Sequence, residues 1–301
     1  MTAIEAEGLT KYYGDVRGIE DLSFAVEDGE IFGYLGPNGA GKTTTIRTLL
    51  GFLHPTGGRA RVLGVDVTDE AALGDAKRRI GYLPSDPALD EGARGREVIA
   101  LHADLKGDAR SQELLETFDA PVDRRIGEYS RGNRQKLAIV LAFMHDPELV
   151  IMGEPTSGLD PLLQERFYEF LAAEQDRGTT VFFSSHVLSE VRRVCDRVGI
   201  VRDGRFVTVE SVADLLARSG KHVRVVVDED VAPDDFDLPG VHDVTVDGTV
   251  SFTFTGEYDQ LLDRLQSFHV QDFEIEEAPL EDVFMRFYGE DGSRGAEAAD
   301  A

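Results

Sequence analysis

The alternation of apolar and polar residues predicts that the chain begins with antiparallel β structure. Residues 1–30 follow this alternation and contain the turn pair Asp28-Gly29. The apolar segment "EIFGYLG" at 30–36 then predicts a buried strand that leads into a glycine-rich loop, and "TTTIRTLLGF" at 43–52 predicts a helix. We therefore expect a strand, a glycine-rich loop and a helix in direct succession.

The middle of the chain alternates between predicted helices and predicted strands. Residues from about 86 to 147 have a charged, helical pattern, and buried strands are predicted at 149–152 and 180–184. The helix predicted between these strands has four apolar residues at helical spacing, which are Leu163, Phe167, Phe170 and Leu171. Alternation of strand, helix and strand predicts a parallel sheet.

A change of composition near residue 219 predicts a second, smaller α/β domain. Its predicted elements are a strand at 221–227, a hairpin that turns at Asp247-Gly248, an amphipathic helix at 258–268 and a strand at 272–278. The predicted domain bounds are 1–218 for the first domain, with a helical subdomain at about 86–147, and 219–288 for the accessory domain. Residues 289–301 are predicted to form a disordered tail.

The charge of the chain excludes one class of function. The 301 residues include 57 acidic and 31 basic side chains, and the formal net charge is −26. Non-specific nucleic-acid binding needs a basic face, so we expect no nucleic-acid partner. A composition with many acidic residues and few lysines resembles that of proteins from salt-loving archaea, in which carboxylates keep the surface hydrated. The alternative is an acidic protein from a GC-rich genome.

Other features of the sequence point to the cytosol. No apolar segment approaches the ~20 residues that a membrane-spanning helix needs. The N-terminal residues lack the basic and apolar regions of a signal peptide. The single cysteine, Cys195, excludes an internal disulfide framework.

The glycine-rich segment "GPNGAGKT" at 36–43 matches the phosphate-loop pattern G-x-x-x-x-G-K-[ST] in full, between a predicted strand and a predicted helix. Its glycines let backbone N–H groups surround phosphate oxygens, and the helix N-terminus adds its positive end. Lys42 is placed to reach the β- and γ-phosphates, and the Thr43 hydroxyl can bind Mg²⁺. The nucleotide-binding residues predicted here are Gly36, Pro37, Asn38, Gly39, Ala40, Gly41, Lys42, Thr43 and Thr44.

Two further segments carry a family resemblance. "YSRGNRQKLAIVLAFMHDPELVIMGEPTSGLDP" at 129–161 and "TTVFFSSHVLSEV" at 179–191 resemble the ATP-binding cassette (ABC) ATPases, and the similarity extends from about residue 4 to 210. The resemblance implies a P-loop NTPase fold with a parallel sheet core, an antiparallel β subdomain and a helical subdomain. It also implies that the chain binds ATP and Mg²⁺ and hydrolyses ATP.

The resemblance assigns roles to residues outside the phosphate loop. Tyr13 matches the aromatic residue that stacks on adenine, with Tyr12 as the alternative. Glu154 matches the residue that polarises the attacking water, and His186 matches the histidine that contacts the γ-phosphate. The competing interpretation is β-sheet packing for the tyrosines and a buried structural carboxylate for Glu154. His186 taken alone would indicate little, since a single histidine usually has no special role.

A third set of matched residues implies a head-to-tail dimer that encloses two ATP molecules. The signature segment includes Ser130, Arg131, Gly132 and Asn133. In the family it faces the γ-phosphate bound to a second subunit, and Ser130 is predicted to cap the helix that follows. Asp160 matches the D-loop, which crosses to the partner subunit. The dimer is expected to depend on ATP, and either a homodimer or a heterodimer fits.

The metal site departs from the family pattern at two positions. Gly153 stands where the family has an Asp that helps to hold Mg²⁺, and Ser85 stands where it has a glutamine. Ser85 and its neighbour Asp86 are the candidates to replace that glutamine, beside Thr43.

The segment "APLEDVFMRFYGE" at 278–290 resembles the end of ATPase subunits from drug-, lipid- and ion-exporting ABC systems. The leading hypothesis is therefore the ATPase subunit of an exporter, bound to the inner face of the cell membrane through a separate permease. One alternative is a nucleotide-binding regulator with little turnover, which Gly153 favours. The other is an ABC protein that acts on ribosomes or DNA, but the single cassette and the lack of heptads argue against it.

Overall fold

The computed structural model describes residues 1–277, apart from the side chains of residues 216–219. The strands in chain order are β1 (Thr2–Tyr13), β2 (Val16–Glu27), β3 (Ile31–Leu35), β4 (Gly57–Val62), β5 (Val65–Asp66), β6 (Ile80–Leu83), β7 (Leu149–Gly153), β8 (Thr180–Ser185), β9 (Arg197–Arg202), β10 (Arg205–Ser211), β11 (Lys221–Val227), β12 (Val241–Val246), β13 (Val250–Phe254) and β14 (Val270–Glu277). The helices are α1 (Lys42–Leu49), α2 (Glu70–Ala76), α3 (Gly95–Lys106), α4 (Ser111–Phe118), α5 (Arg131–Phe143), α6 (Pro161–Asp176), α7 (Leu188–Val194), α8 (Val212–Ser219) and α9 (Tyr258–Leu265).

The chain divides into two compact units, the first from Met1 to Ser211 and the second from Val212 onward. Helix α8 stands at the start of the second unit, and the boundary predicted after residue 218 falls near the other end of this helix. The segment at 278–290 and the predicted tail at 289–301 lie outside the described residues.

A six-stranded sheet forms the centre of the first unit. Its order is β10-β9-β3-β8-β7-β6, and all neighbours are parallel except β10, which pairs with β9 in antiparallel fashion. Strands β3, β7 and β8 are buried along their whole length, as strands covered on both faces must be. Because these strands are parallel, their carboxyl ends meet at one edge of the sheet. The predicted parallel core is confirmed.

A second, antiparallel sheet with the order β2-β1-β4-β5 covers one side of the first unit. The predicted turn after β2 is present, and Gly29 adopts the left-handed conformation there, with φ of +75°. Aromatic rings join the two sheets. Phe24 of β2 stacks on Phe32 of β3 at 5.7 Å between ring centroids, and its ring also lies 6.2 Å from that of Tyr34 and 6.1 Å from that of Phe182. Pattern analysis did not identify β4, β5, β9 or β10 as separate strands.

The predicted helical region contains α3, α4 and α5, whereas residues 84–94 are turns and irregular chain. Helix α5 includes the apolar residues 137–143, all of which are buried. The described residues include no helix with both the length and the hydrophobicity to cross a lipid bilayer.

The second unit contains an antiparallel sheet with the order β12-β13-β11-β14. Its core includes Val223, Phe252 and Phe254 from the sheet and Leu261 and Leu265 from α9. The predicted hairpin turn is present between β12 and β13, with Gly248 at φ of +65°.

Candidate functional site

The phosphate loop connects β3 to α1 at the carboxyl edge of the central sheet. Gly39 and Gly41 have φ of +85° and +102°, a conformation that other residues adopt only with strain. A Cβ atom on Gly41 would also lie 2.6 Å from the carbonyl oxygen of Gly18. No side chain caps α1, so its first N–H groups face the loop and can bind an anion.

Lys42 is the cation of this loop, and only 9% of it is exposed. Its ammonium donates hydrogen bonds to the carbonyl oxygens of Gly36 at 2.6 Å and Pro37 at 3.2 Å. Burial lowers the pKa of Lys42, and the negative charge of Glu154, whose Oε1 lies 3.5 Å from Nζ, opposes this effect. The ammonium is thus held inside the loop where phosphate oxygens would bind.

A pocket opens over the phosphate loop. Its lining includes Tyr13, Pro37, Asn38, Gly39, Gly41, Lys42, Thr43, Thr44, Ser85 and Glu154. Gly36 and Ala40 belong to the loop but do not line the pocket. Ala40 is buried, and the Gly36 carbonyl oxygen accepts a hydrogen bond from Lys42. Tyr13 is 46% exposed and lies at the pocket, whereas Tyr12 does not line it. This placement favours Tyr13 over Tyr12 as the base-stacking residue.

Three lining residues were missed by sequence analysis, and all belong to β2: Val16, Arg17 and Gly18. Gly18 has a clear role. A Cβ atom there would lie 2.9 Å from the Tyr13 ring and 3.1 Å from Thr44 Cγ2, so the glycine leaves room for both side chains. Nothing in the local sequence marks this residue, since its neighbours Tyr13 and Thr44 belong to β1 and α1.

Glu154 follows β7 with a backbone φ of +50°. Its N–H donates to the carbonyl oxygen of Ser184 on the neighbouring strand at 2.8 Å. The carboxylate is 20% exposed and lies between two partners, with Oε1 near Lys42 and Oε2 2.6 Å from His186 Nδ1. A carboxylate in this position can accept a proton from a water and orient it. The structure therefore brings Lys42, Glu154 and His186 into one site.

The signature residues lie at the start of α5. Ser130 caps the helix by accepting a hydrogen bond from the N–H of Asn133 at 3.3 Å, as the sequence predicted. Arg131 donates to the Ser157 hydroxyl at 2.6 Å. A Cβ atom on Gly132 would lie 2.7 Å from the Gly158 carbonyl oxygen, so glycine permits this close approach.

A second pocket adjoins the first and shares Asn38, Ser85 and Glu154 with it. Its lining also includes Asp86, Arg131, Arg134, Ser157 and His186. The structure thus places Arg131 in the same pocket as Glu154 and His186, but Ser130, Gly132 and Asn133 line neither pocket.

Asp160 ends the D-loop (residues 155–160) and lines neither pocket. Its Oδ1 accepts a hydrogen bond from the N–H of Leu163 at 3.0 Å and so caps α6, whose first residue is Pro161. Within the chain, the side chain of Asp160 is a helix cap.

The residues present suit Mg²⁺ only together with nucleotide phosphates. The hydroxyls of Thr43 and Ser85 line the phosphate pocket, and Asp86 lines the adjoining one. No group of three His, Cys, Asp or Glu side chains within residues 1–277 could hold a metal ion. Mg²⁺ commonly binds through few protein ligands, several waters and substrate phosphates, so these hydroxyls fit it.

Comparisons with known proteins agree with this geometry. The sequence profile of the ABC transporter family matches residues 19–157. The Nod factor export ATP-binding protein I of Mesorhizobium japonicum is 34% identical over 300 residues, 95% of this chain and 87% of the relative. The bacitracin transport ATP-binding protein BcrA of Bacillus licheniformis is 31% identical over 304 residues, 96% of this chain and 98% of the relative.

A solved structure of an ATP-binding subunit of an ABC transporter shares the fold. It superposes with a TM-score of 0.67 at 30% identity, and the match covers 72% of this chain and 93% of that structure.

Proposed function

The chain belongs to the ABC transporter family as an ATP-binding, ATP-hydrolysing subunit, and from this premise we propose that it drives export through a separate membrane-spanning permease. Two similar relatives bear names that specify Nod factor export and bacitracin transport. Their similarity extends over nearly the whole chain and includes the accessory unit. An exporter subunit bound to the permease at the inner face of the membrane is the arrangement that we propose.

The observation that supports turnover is the position of the Glu154 carboxylate between Lys42 and His186. Lys42 and the N–H groups of the phosphate loop bind the β- and γ-phosphates. Glu154 orients the attacking water and accepts its proton, and His186 donates a hydrogen bond to the γ-phosphate. Mg²⁺, when bound beside Thr43, neutralises charge on the phosphates.

We propose further that two subunits, identical or related, close head to tail on two ATP molecules. One chain places its signature residues at the start of α5, where the helix N-terminus suits a phosphate of the partner's nucleotide. The same end of α5 contacts the D-loop through Arg131 and Ser157. Both segments therefore lie at one surface, as a head-to-tail interface requires.

The test of this proposal uses Glu154→Gln in the full chain. We expect hydrolysis to fall at least about a hundredfold because a general base is lost, while ATP still binds and a dimer accumulates in sedimentation with ATP and Mg²⁺. Glu148→Gln is the matched control, since Glu148 lies just before the other end of β7, is exposed and pairs with Arg79. Only monomer at all salt concentrations would refute the dimer.

Gly153 favours a second candidate, a nucleotide-binding regulator with little turnover. The position offers no carboxylate to the metal, and a Cβ atom there would lie 3.3 Å from the Ser85 backbone nitrogen. Measured ATP turnover of the wild-type chain with its permease decides between the two candidates. ATP binding without turnover would support the regulator.

A further inference from the structure

Glu190 on α7 is a buried carboxylate to which neither the sequence motifs nor the chemistry above assigns a role. It is 8% exposed. One carboxylate oxygen accepts a hydrogen bond from the Thr156 hydroxyl, and the other accepts one from the Ser185 hydroxyl at 2.6 Å. Burying a carboxylate is costly, and an apolar side chain of similar size would pack there with less desolvation. Such a group is a candidate for a functional role.

Both partners of Glu190 adjoin catalytic residues. Thr156 lies in the D-loop, two residues after Glu154, and is itself 4% exposed. Ser185 is the last residue of β8 and directly precedes His186.

Ser185 connects three parts of the site. Its hydroxyl accepts a hydrogen bond from the N–H of Val187 at 2.9 Å, so one side chain holds the backbone on both sides of His186. Its carbonyl oxygen accepts a hydrogen bond from the N–H of Gly36, the first residue of the phosphate loop, at 3.3 Å. The orientation of the Ser185 hydroxyl is set by its donation to Glu190.

We propose that Glu190 is a positioning residue for hydrolysis, which holds the D-loop and the backbone around His186 in one fixed relation to Glu154. Its two oxygens connect the segment after Glu154 to the segment that carries His186. The distance between His186 Nδ1 and Glu154 Oε2, 2.6 Å, depends on these two segments keeping their relative position.

The same hydrogen bonds connect the signature helix, α5, to His186. Gln135 of α5 is 2% exposed and donates to the Pro155 carbonyl oxygen at 2.7 Å. Pro155 precedes Thr156, so a displacement of α5 moves the partner of Glu190. Movement of the signature helix at a dimer interface would therefore reach His186 through Glu190 and Ser185.

Glu190→Gln tests the proposal with almost no change of shape. Both partner hydroxyls donate to the carboxylate, and an amide nitrogen does not accept. One hydroxyl must therefore turn to accept from the amide of Gln or lose this contact, and the negative charge that strengthens both hydrogen bonds is removed. We expect kcat for ATP to fall about tenfold or more, because small displacements of catalytic groups have effects of this size. We expect the KM for ATP to change less than twofold, since the phosphate loop itself is intact.

The matched control is Glu165→Gln, since Glu165 is a half-exposed carboxylate that joins α6 to α7 by pairing with Arg193. Thr156 offers an independent pair of variants. Thr156→Val removes the hydroxyl, whereas Thr156→Ser keeps it. We expect Thr156→Val to lower kcat and Thr156→Ser to restore it, and the double variant with Glu190→Gln to be no slower than the slower single variant.

A measurement without nucleotide separates positioning from general stability. Amide hydrogen exchange at Val187 should accelerate in Glu190→Gln and Thr156→Val but not in Glu165→Gln, while the melting temperatures of the variants agree within about 2 °C. Unchanged kcat and exchange in Glu190→Gln would overturn the proposal. A fall of kcat together with an equally large rise of KM would also overturn it. Additive effects of Thr156→Val and Glu190→Gln on kcat would do the same.

Discussion

Glu154 has an uncommon backbone conformation for a residue other than glycine, and this conformation aims its carboxylate into the site. A φ of +50° costs of order 1–3 kcal/mol and persists only where surrounding structure enforces it. Here the hydrogen bond from its N–H to Ser184 holds the backbone against β8. The strain is offset by the rest of the fold, and the side chain lies between Lys42 and His186 as a result.

Gly153 is the residue at which a single substitution should raise activity. Gly153→Asp restores a carboxylate at the end of β7, so we expect ATP turnover to rise about tenfold, or ~1.4 kcal/mol of transition-state stabilisation. ATP affinity should change little, because phosphate contacts dominate binding. The new Cβ would lie 3.3 Å from the Ser85 backbone nitrogen, so Ser85 must shift by a few tenths of an ångström. Steady-state hydrolysis assays measure the effect.

Gly153→Asn is the control, since it has the same size and the same contact with Ser85 but no charge. We expect no gain in turnover from it. Equal turnover in Asp and Asn variants, in a chain that already hydrolyses ATP rapidly, would show that another residue holds the metal.

At the scale of secondary-structure elements, Asp160 at the start of α6 is a residue for which two roles can be tested. Asp160 caps this helix within the chain, and the family resemblance places it at the interface with a partner. Asp160→Ala removes the cap and should lower the free energy of unfolding by about 1 kcal/mol, whereas Asn caps as well as Asp. Urea unfolding of both variants measures this difference.

ATPase assays on the same two variants distinguish the helix-capping role of Asp160 from a role at the interface with a partner subunit. If Asp160 also contacts a partner subunit through its charge, Asp160→Asn keeps its stability but loses activity. Full activity of Asp160→Asn would leave the helix cap as its one function.

For the whole molecule, the net charge of −26 is the dominant physical property. Self-repulsion destabilises a compact state, and salt screens it because the Debye length falls from about 10 Å at 0.1 M to about 3 Å at 1 M. We expect the melting temperature to rise by about 3 °C or more from dilute buffer to molar KCl, roughly 1 kcal/mol for a chain of this size. Sucrose at matched osmolality is the control. A flat melting temperature would contradict a salt-adapted surface.

The sequence by itself determined the fold class and predicted the residues of the candidate site. The phosphate loop is a local structure, so one continuous segment specifies the strand, the glycines at positive φ and the helix N-terminus. The buried strands β7 and β8 are likewise recognisable in the sequence as short apolar runs. Ser130 was predictable as a cap because capping involves residues three positions apart.

Only the tertiary structure decided which distant residues meet. Gly18, Thr156 and Glu190 bear no local pattern, because their contact partners lie on other elements. Gly18 adjoins Tyr13 of β1 and Thr44 of α1, and Thr156 binds Glu190 of α7. The strands β4, β5, β9 and β10 were not identified from the sequence. Most residues of β4 and β10 are exposed or half-buried, so these two strands lack the continuous apolar runs that mark β7 and β8. The placement of Glu154 between Lys42 and His186 combines three segments separated by more than thirty residues each, and only sheet pairing sets those distances.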